Sequence, residues 1–240
     1  MKKIGLLVLF LALFPACGIF GQIPRVAAPQ AVIQSERHVV AILAGGNCSD
    51  PQAARNRGNG FFVAVQIVVT AAHFLDSTVT VNSDFAVTDY KGKCYNAKVA
   101  KFNTKLDVLF LKVDGHHGPG IPLSDKPPSP GEKVWSFCFE SSPFTPTRPS
   151  DGDMPFSRNA RCVYVPKRMY PSYEGVEFFA AIPMARPGDS GSALINERGE
   201  VVGMVLAIVI NRKLKEEYSI YVTGAVIKKL FLQFFGNKPR

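Results

Sequence analysis

Val68-Val69-Thr70-Ala71-Ala72-His73 decides how the chain is read, because an apolar, β-branched run ends there directly on a histidine. Val and Thr favour an extended backbone, and a run this short without charge reads as a buried strand. The same texture continues outward on both sides. Strands are expected at His38–Ala44, Gly60–Thr70, Thr78–Val87, Cys94–Phe102 and Val108–Val113. Beyond a Pro-rich stretch, Pro119–Pro130, they resume at Lys133–Phe139, Ala160–Val165, Val176–Ile182, Ser192–Asn196, Val201–Val209 and Tyr218–Val222. Most are bounded by Gly, Pro, Asn or Asp, the residues that make turns. One helix stands out: Thr223 can cap Ala225–Phe235, where Val226, Ile227, Leu230, Phe231 and Phe234 oppose Lys228 and Lys229. Two strand groups split near residues 114–132 predict an all-β fold of two packed antiparallel barrels with a C-terminal helix. The first barrel is placed at about 38–114, the second at about 132–222 and the helix at about 223–235.

Composition agrees with this class. Hydrophobic residues at 47% against charged residues at 20% exclude a disordered chain or a coiled coil. With 20 Gly and 18 Pro and no collagen-like period, short strands and turns are favoured over long helices. The net charge of +9 is spread along the chain without a dense basic block, so charge alone does not imply nucleic-acid binding.

The N-terminus reads as a targeting segment rather than as fold. Lys2 and Lys3 precede an unbroken apolar run, Ile4–Phe14, and small residues follow at Ala16, Gly18 and Gly21. That is the pattern of an export signal over about residues 1–21, leaving 22–37 as an extension before the folded region at 38–240. The run is shorter than the ~20 residues of a membrane span, so no stable span is expected after signal removal. Secretion or periplasmic export is the main reading. Anchoring as a lipoprotein through Cys17 is the minor one, since Ala16 and Cys17 fit an acylation box while Phe14 and Pro15 do not.

Export gives meaning to the remaining cysteines, Cys48, Cys94, Cys138 and Cys162, an even number in an oxidising compartment. None has zinc-site spacing, and three pairings are open. Cys138 and Cys162 lie in consecutive strand-like segments, where antiparallel neighbours could join them for about 3 kcal/mol in the chain-entropy model. The His116-His117 pair reads as an exposed turn between Gly115 and Gly118 rather than as a metal site. No metal or organic cofactor is expected.

Chemistry is concentrated in three segments. Beside the histidine run stand Lys105-Leu106-Asp107-Val108-Leu109-Phe110, an acid opening an apolar strand, and Arg186-Pro187-Gly188-Asp189-Ser190-Gly191-Ser192, a Gly-flanked serine. Each alone is weak. Together His73, Asp107 and Ser190 supply a general base, its orienter and a nucleophile. The α/β-hydrolase elbow is excluded, because Gly188-Asp189-Ser190-Gly191-Ser192 ends in Ser and the chain lacks βα alternation.

In that order, T-A-A-H, D-V-L-F-L-K-V and G-D-S-G-S resemble the chymotrypsin-fold serine peptidases. Gly58-Asn59-Gly60-Phe61-Phe62-Val63 and Pro187-Gly188-Asp189-Ser190-Gly191 resemble the bacterial HtrA-type branch more than the digestive branch. The likeness covers roughly residues 38–235. It implies two six-stranded barrels with the site in the cleft between them, and hydrolysis of protein or peptide substrates through an acyl-enzyme. It also implies an oxyanion hole from the N–H groups of Gly188 and Ser190. Residues 191–240 are expected to complete the second barrel, leaving no room for a PDZ module. By the same resemblance Met184 takes the floor of the S1 pocket and Ala185 adjoins it. The segment Leu206, Ala207 and Ile208 would pair with substrate. An apolar pocket predicts cleavage after small or medium apolar residues, since a buried Lys or Arg would lack a partner.

Some residues depart from the digestive pattern. Phe74, not Cys, follows the histidine, and Leu206 replaces a polar residue usual behind the triad acid. Asp189 occupies the position that pairs with a newly cut N-terminus in zymogen-activated relatives, and Arg25-Val26 lies at about the right distance upstream for such a cut. Activity without that cut is the default expectation. The rival to an active enzyme is an inert homologue serving as a binding module, against which all three triad residues are retained.

Overall fold

The computed structural model describes residues 28–115, 118–137, 139, 161–164, 172–173, 176–181, 185, 188–211 and 216–236. A short helix, α1 (Gln30–Ser35), leads into six strands: β1 (Val39–Ala44), β2 (Asn56–Ala64), β3 (Ile67–Ala71), β4 (Phe85–Thr88), β5 (Cys94–Asn103) and β6 (Val108–Val113). They close into an antiparallel barrel in the order β1-β2-β3-β6-β5-β4. The second lobe contains β7 (Lys133–Phe137), β8 (Arg161–Tyr164), β9 (Ser172–Tyr173), β10 (Val176–Ala181), β11 (Ala193–Asn196), β12 (Val201–Asn211) and β13 (Glu216–Thr223). Among the described residues these form one sheet in the order β8-β7-β11-β12-β13-β10-β9. Helix α2 (Gly224–Phe235) ends the fold. The two-barrel architecture expected from the strand pattern is borne out, with the two-residue strand β9 as an addition at the edge of the second sheet.

Strand alternation explains why β1, β3 and β6 read as near-continuous apolar runs. On β1, Val40 and Ile42 point into the barrel, as do Phe62 on β2, Val68 on β3 and Leu109 and Leu111 on β6. Their neighbours Val39, Phe61, Val63, Val69, Val108 and Phe110 point the other way, into a core shared with Trp135, Ile195, Met204 and Val222 of the second lobe. Both faces of these strands are therefore dry, which a period of two places on opposite sides of the sheet. A smaller cluster of Val134, Leu194, Val202, Val205 and Tyr221 fills the second lobe.

Helix α2 begins one residue before the expected start. Thr223 caps it by accepting the Val226 N–H at 3.2 Å. It stops at Gly236, whose φ of +71° lets its N–H reach the Leu232 carbonyl at 2.9 Å. The helix crosses back to the first barrel, where Phe231, Phe234 and Phe235 surround the Phe110 ring at centroid distances of 6.2, 5.8 and 5.6 Å.

Two strand expectations need correction. The single strand Gly60–Thr70 is the hairpin β2–β3, turning at Val65 and Gln66. The strand expected from Thr78 begins only at Phe85, because the Asp76 carboxylate captures the N–H groups of Thr78 and Val79 at 2.6 and 2.8 Å and the Thr78 hydroxyl at 2.7 Å. Such side-chain turns compete with strand ladders for the backbone donors. Residues expected only as an extension carry α1, whose Val32 is buried in the shared core and whose Ser35 hydroxyl reaches the Gly199 carbonyl at 3.3 Å.

Cys48 and Cys94 form a disulfide with Cα atoms 5.7 Å apart, tying the loop after β1 to the start of β5. Cys162 sits on β8 opposite Trp135 of β7. Cys138, the export signal at 1–21, Cys17, Arg25-Val26, Met184 and the His116-His117 pair lie outside the described residues. Among the described residues no helix is long and apolar enough to cross a membrane.

Candidate active site

Strand pairing brings the first two segments together. The antiparallel register of β3 and β6 sets Ala71 opposite Val108, so the chain leaving β3 meets the chain entering β6. The Ala72 N–H donates to the Asp107 carbonyl at 3.2 Å, and a 3-10 turn, Ala72–Phe74, swings His73 over Asp107. Both carboxylate oxygens of Asp107 are then used on one residue: Oδ1 accepts the His73 backbone N–H at 2.6 Å, and Oδ2 pairs with His73 Nδ1 at 2.7 Å. A carboxylate only accepts, so this contact places the imidazole proton on Nδ1 and leaves Nε2 as the basic nitrogen. The His73 side chain is 42% exposed and that of Asp107 24%, so the imidazole faces solvent more openly than the carboxylate it pairs with.

Asp107 has the only positive φ of any non-glycine residue among those described, +54°. Asp tolerates this left-handed region better than most side chains. The turn is held by the Asp107 N–H on the Thr104 carbonyl at 3.3 Å and by Asn103 Oδ1 on the Leu106 N–H at 3.0 Å.

The third segment is a tight turn of the second lobe, with φ of +94° at Gly188 and +81° at Gly191. It presses onto the first barrel. A Cβ on Gly191 would lie 2.0 Å from the Asn59 carbonyl oxygen, and one on Gly58 would lie 2.9 Å from the Ser190 carbonyl oxygen. Only glycine permits that approach. The Asn59 N–H donates to the Ser190 carbonyl at 2.8 Å, the Gly191 N–H to Val205 at 2.9 Å and the Ser192 N–H to Asp189 at 2.9 Å. Ser190 is partly exposed and Asp189 is 6% exposed. Among the described residues no hydrogen bond joins Ser190 Oγ to His73, and the N–H groups of Gly188 and Ser190 serve no other acceptor. Contacts of this kind are often long before substrate arrives.

Of the expected pocket residues, Ala185 is buried beside Val205 and Tyr221. Its N–H donates to the Ser219 hydroxyl. Leu206 is 8% exposed and packs into the core shared by the lobes, at a register shift of β12 against β13, while the following Ala207 is exposed. Ile208 lies on β12 opposite Ser219, its side chain outside the described residues. Asn59, not singled out from the sequence as a site residue, is fully buried and touches this turn through both backbone and side chain. The signal for it is a polar residue between two glycines, directly before the apolar run Phe61–Ala64 of the same strand.

Comparison with known proteins bears on the same elements. The family model for the trypsin-like peptidase domain matches residues 58–204, from the glycine before Asn59 to β12. HhoB of Synechocystis sp., whose name places it among the serine proteases, is 29% identical over 163 residues, covering 66% of this chain and 36% of its own length. The chain thus spans little more than a third of that relative. Among solved structures, the active form of the Rv3671c protease of M. tuberculosis superposes with a TM-score of 0.65 at 19% identity, over 89% of this chain and 91% of that one. The serine endoprotease of Yersinia pestis gives 0.63 at 18% identity, over 87% and 66%. At such identities the structural likeness establishes the two-barrel fold.

Proposed function

We propose, since the chain belongs to the trypsin-like peptidase family, that it is an exported serine endopeptidase with His73, Asp107 and Ser190 as its triad. The observation that carries this reading is the pair of hydrogen bonds from His73 to Asp107, formed beside a glycine turn that presents Ser190. Nε2 of His73 takes the Ser190 proton as Oγ attacks the scissile carbonyl, and Asp107 stabilises the resulting imidazolium. The N–H groups of Gly188 and Ser190 receive the oxyanion, a contribution for which one lost donor typically costs about 3 kcal/mol. His73 then returns the proton to the leaving amine, and water repeats the sequence to release the acyl group.

Small or medium apolar P1 residues suit an S1 pocket floored by Met184 and flanked by Ala185, the places that the family resemblance gives these two residues. Support comes from Ala185, which is buried against the apolar Val205 and the Tyr221 ring. A peptide-library profile dominated by Arg or Lys at P1 would overturn this preference. Export is supported by the Cys48–Cys94 disulfide, a bond of oxidising compartments. Activity begins once the signal is removed, and mass spectrometry of the active form should find a terminus upstream of Val26. Casein hydrolysis by the purified protein, abolished by Ser190→Ala, tests the enzyme itself. A wild type that neither cleaves casein nor reacts with a fluorophosphonate is instead the inert binding module.

A further inference from the structure

We propose that Asn59 is a positioning residue for the oxyanion site, its buried side-chain amide holding the Gly188–Asp189 peptide so that the N–H groups of Gly188 and Ser190 converge. This rests on the peptidase reading above. Asn59 lies inside β2 opposite Ala41, with none of its surface exposed. Strand interiors disfavour Asn, and a buried amide must find partners for its polar atoms. Here every polar group of the residue is engaged. The backbone N–H donates to Ser190 O at 2.8 Å, and the carbonyl accepts the Thr70 hydroxyl at 2.6 Å. Side-chain Nδ2 donates to Gly188 O at 2.7 Å, and Oδ1 accepts the Phe139 N–H at 2.7 Å. Reversing the amide would oppose two donors at Phe139 and two acceptors at Gly188, so its orientation is fixed by its neighbours.

The consequence is read one peptide plane at a time. The plane 188–189 is fixed by Asn59 Nδ2 on its carbonyl. The plane 189–190, which carries the Ser190 N–H, is fixed by the Ser192 N–H on the Asp189 carbonyl. The plane 190–191 is fixed at both ends, by the Asn59 N–H on Ser190 O and by the Gly191 N–H on Val205 O. Of these contacts, the one on the first plane is made by a side chain, and that side chain comes from the opposite lobe. It also sits next to Gly188, whose φ of +94° belongs to a residue with no side chain to restrain it. The Gly188 N–H itself lies in the preceding plane, 187–188, so the 188–189 plane is the link between it and the plane that carries the Ser190 N–H. Without the Asn59 amide that link loses its carbonyl anchor, and the two N–H groups lose their common aim. A substrate carbonyl still binds, but its developing oxyanion is poorly met, which is a loss in the transition state rather than in the ground state.

The test compares Asn59→Asp, nearly isosteric but with a carboxylate oxygen against Gly188 O, and Asn59→Ala, with wild type and Ser190→Ala in one peptide-hydrolysis assay. Folding is checked by circular dichroism and thermal melting. The expected result is a fall in kcat of about 10- to 100-fold with KM within about threefold. A peptidyl trifluoromethyl ketone, whose adduct with Ser190 bears an oxyanion, should lose affinity by a similar factor, while the matching peptide amide does not. If kcat of a folded variant stays within threefold of wild type, or the loss lies in KM alone, the inference is overturned. Failure of both variants to fold also overturns it, in favour of a purely structural Asn59. A wild type without turnover, indistinguishable from Ser190→Ala, removes the peptidase reading and this one with it.

Discussion

Asp107→Asn isolates the proton on His73 from everything else the acid does. Both oxygens of Asp107 accept from one residue, the His73 backbone N–H at 2.6 Å and the imidazole Nδ1 at 2.7 Å. Asn offers one acceptor and one NH2 donor. The backbone N–H cannot give up its proton, so the amide oxygen is required there and the NH2 turns toward Nδ1. Nδ1 must then accept, which moves the imidazole proton to Nε2, the nitrogen that receives the Ser190 proton in the proposed mechanism. The backbone cost is small, because Asn tolerates the φ of +54° as Asp does. The backbone bonds to Ala72 and Thr104 do not involve the substituted atoms. A wrong tautomer in a triad lowers kcat by about 10^4, or about 5 kcal/mol of barrier, whereas unfolding free energy should change by less than about 1 kcal/mol. Steady-state kinetics with active-site titration measures the first quantity and urea denaturation the second. A folded Asp107→Asn enzyme with kcat within tenfold of wild type would refute the tautomer argument.

Gly191→Ala should destabilise the fold by about 3–4 kcal/mol. The added Cβ meets the Asn59 carbonyl at 2.0 Å at a φ of +81°, and retreat breaks the Asn59 bonds to Ser190 and Thr70; a shift in urea midpoint worth under 1 kcal/mol would contradict it. Replacing both Cys48 and Cys94 with Ser opens a loop of sequence separation 46 and should cost about 4 kcal/mol in the chain-entropy model. Equal denaturation midpoints for the oxidised protein and the double variant would dismiss that contribution. In acid, Glu200 is the group to follow. Its carboxyl is held below the usual range by Arg198 first and Asn196 second, so its stabilisation is complete above the unfolded value of about 4.3 and is lost as pH falls through the lower folded value. Glu200→Gln should flatten that part of the stability–pH curve, and an unchanged slope counts against the assignment.

What was legible in the sequence follows from how local each cause is. His73, Asp107 and Ser190 stood out because each closes or opens an apolar strand, and the pairing Ala71 to Val108 then follows from antiparallel neighbours. Helix α2 was legible to within a residue through its Thr cap and apolar stripe. The β2–β3 hairpin was not, because its turn is Val65-Gln66, without Gly, Pro, Asn or Asp to mark it. The Cys48–Cys94 bond is the pairing left over when Cys138 pairs with Cys162, and no local pattern marks it, because Cys48 is brought to β5 by its loop, with the Cys48 N–H on Asn96 Oδ1 at 3.0 Å. Asn59 escaped for a related reason: its partners Gly188, Ser190 and Phe139 lie 80 to 131 residues away, in the other lobe.

That distance points to what keeps a site divided between two lobes in working order. His73 and Asp107 belong to the closed first barrel, and Ser190 to a turn of the second sheet, so their alignment is only as firm as the contact between the lobes. Strands β1, β2, β3 and β6 of the first barrel carry buried residues on both faces, and the outward set, Phe61, Val69 and Phe110 among it, shares one continuous core with Trp135 and Met204. Helix α2 adds a clamp at the vulnerable place, because Phe110, three residues beyond Asp107, is ringed by Phe231, Phe234 and Phe235. Apolar contact holds the lobes but does not choose a direction, since it is proportional to area and indifferent to orientation. Hydrogen bonds do choose one, and Asn59 places its own at the point where the lobes meet the nucleophile. In the proposed mechanism the apolar interface therefore holds base and nucleophile together, and the buried amide anchors the turn that presents the nucleophile.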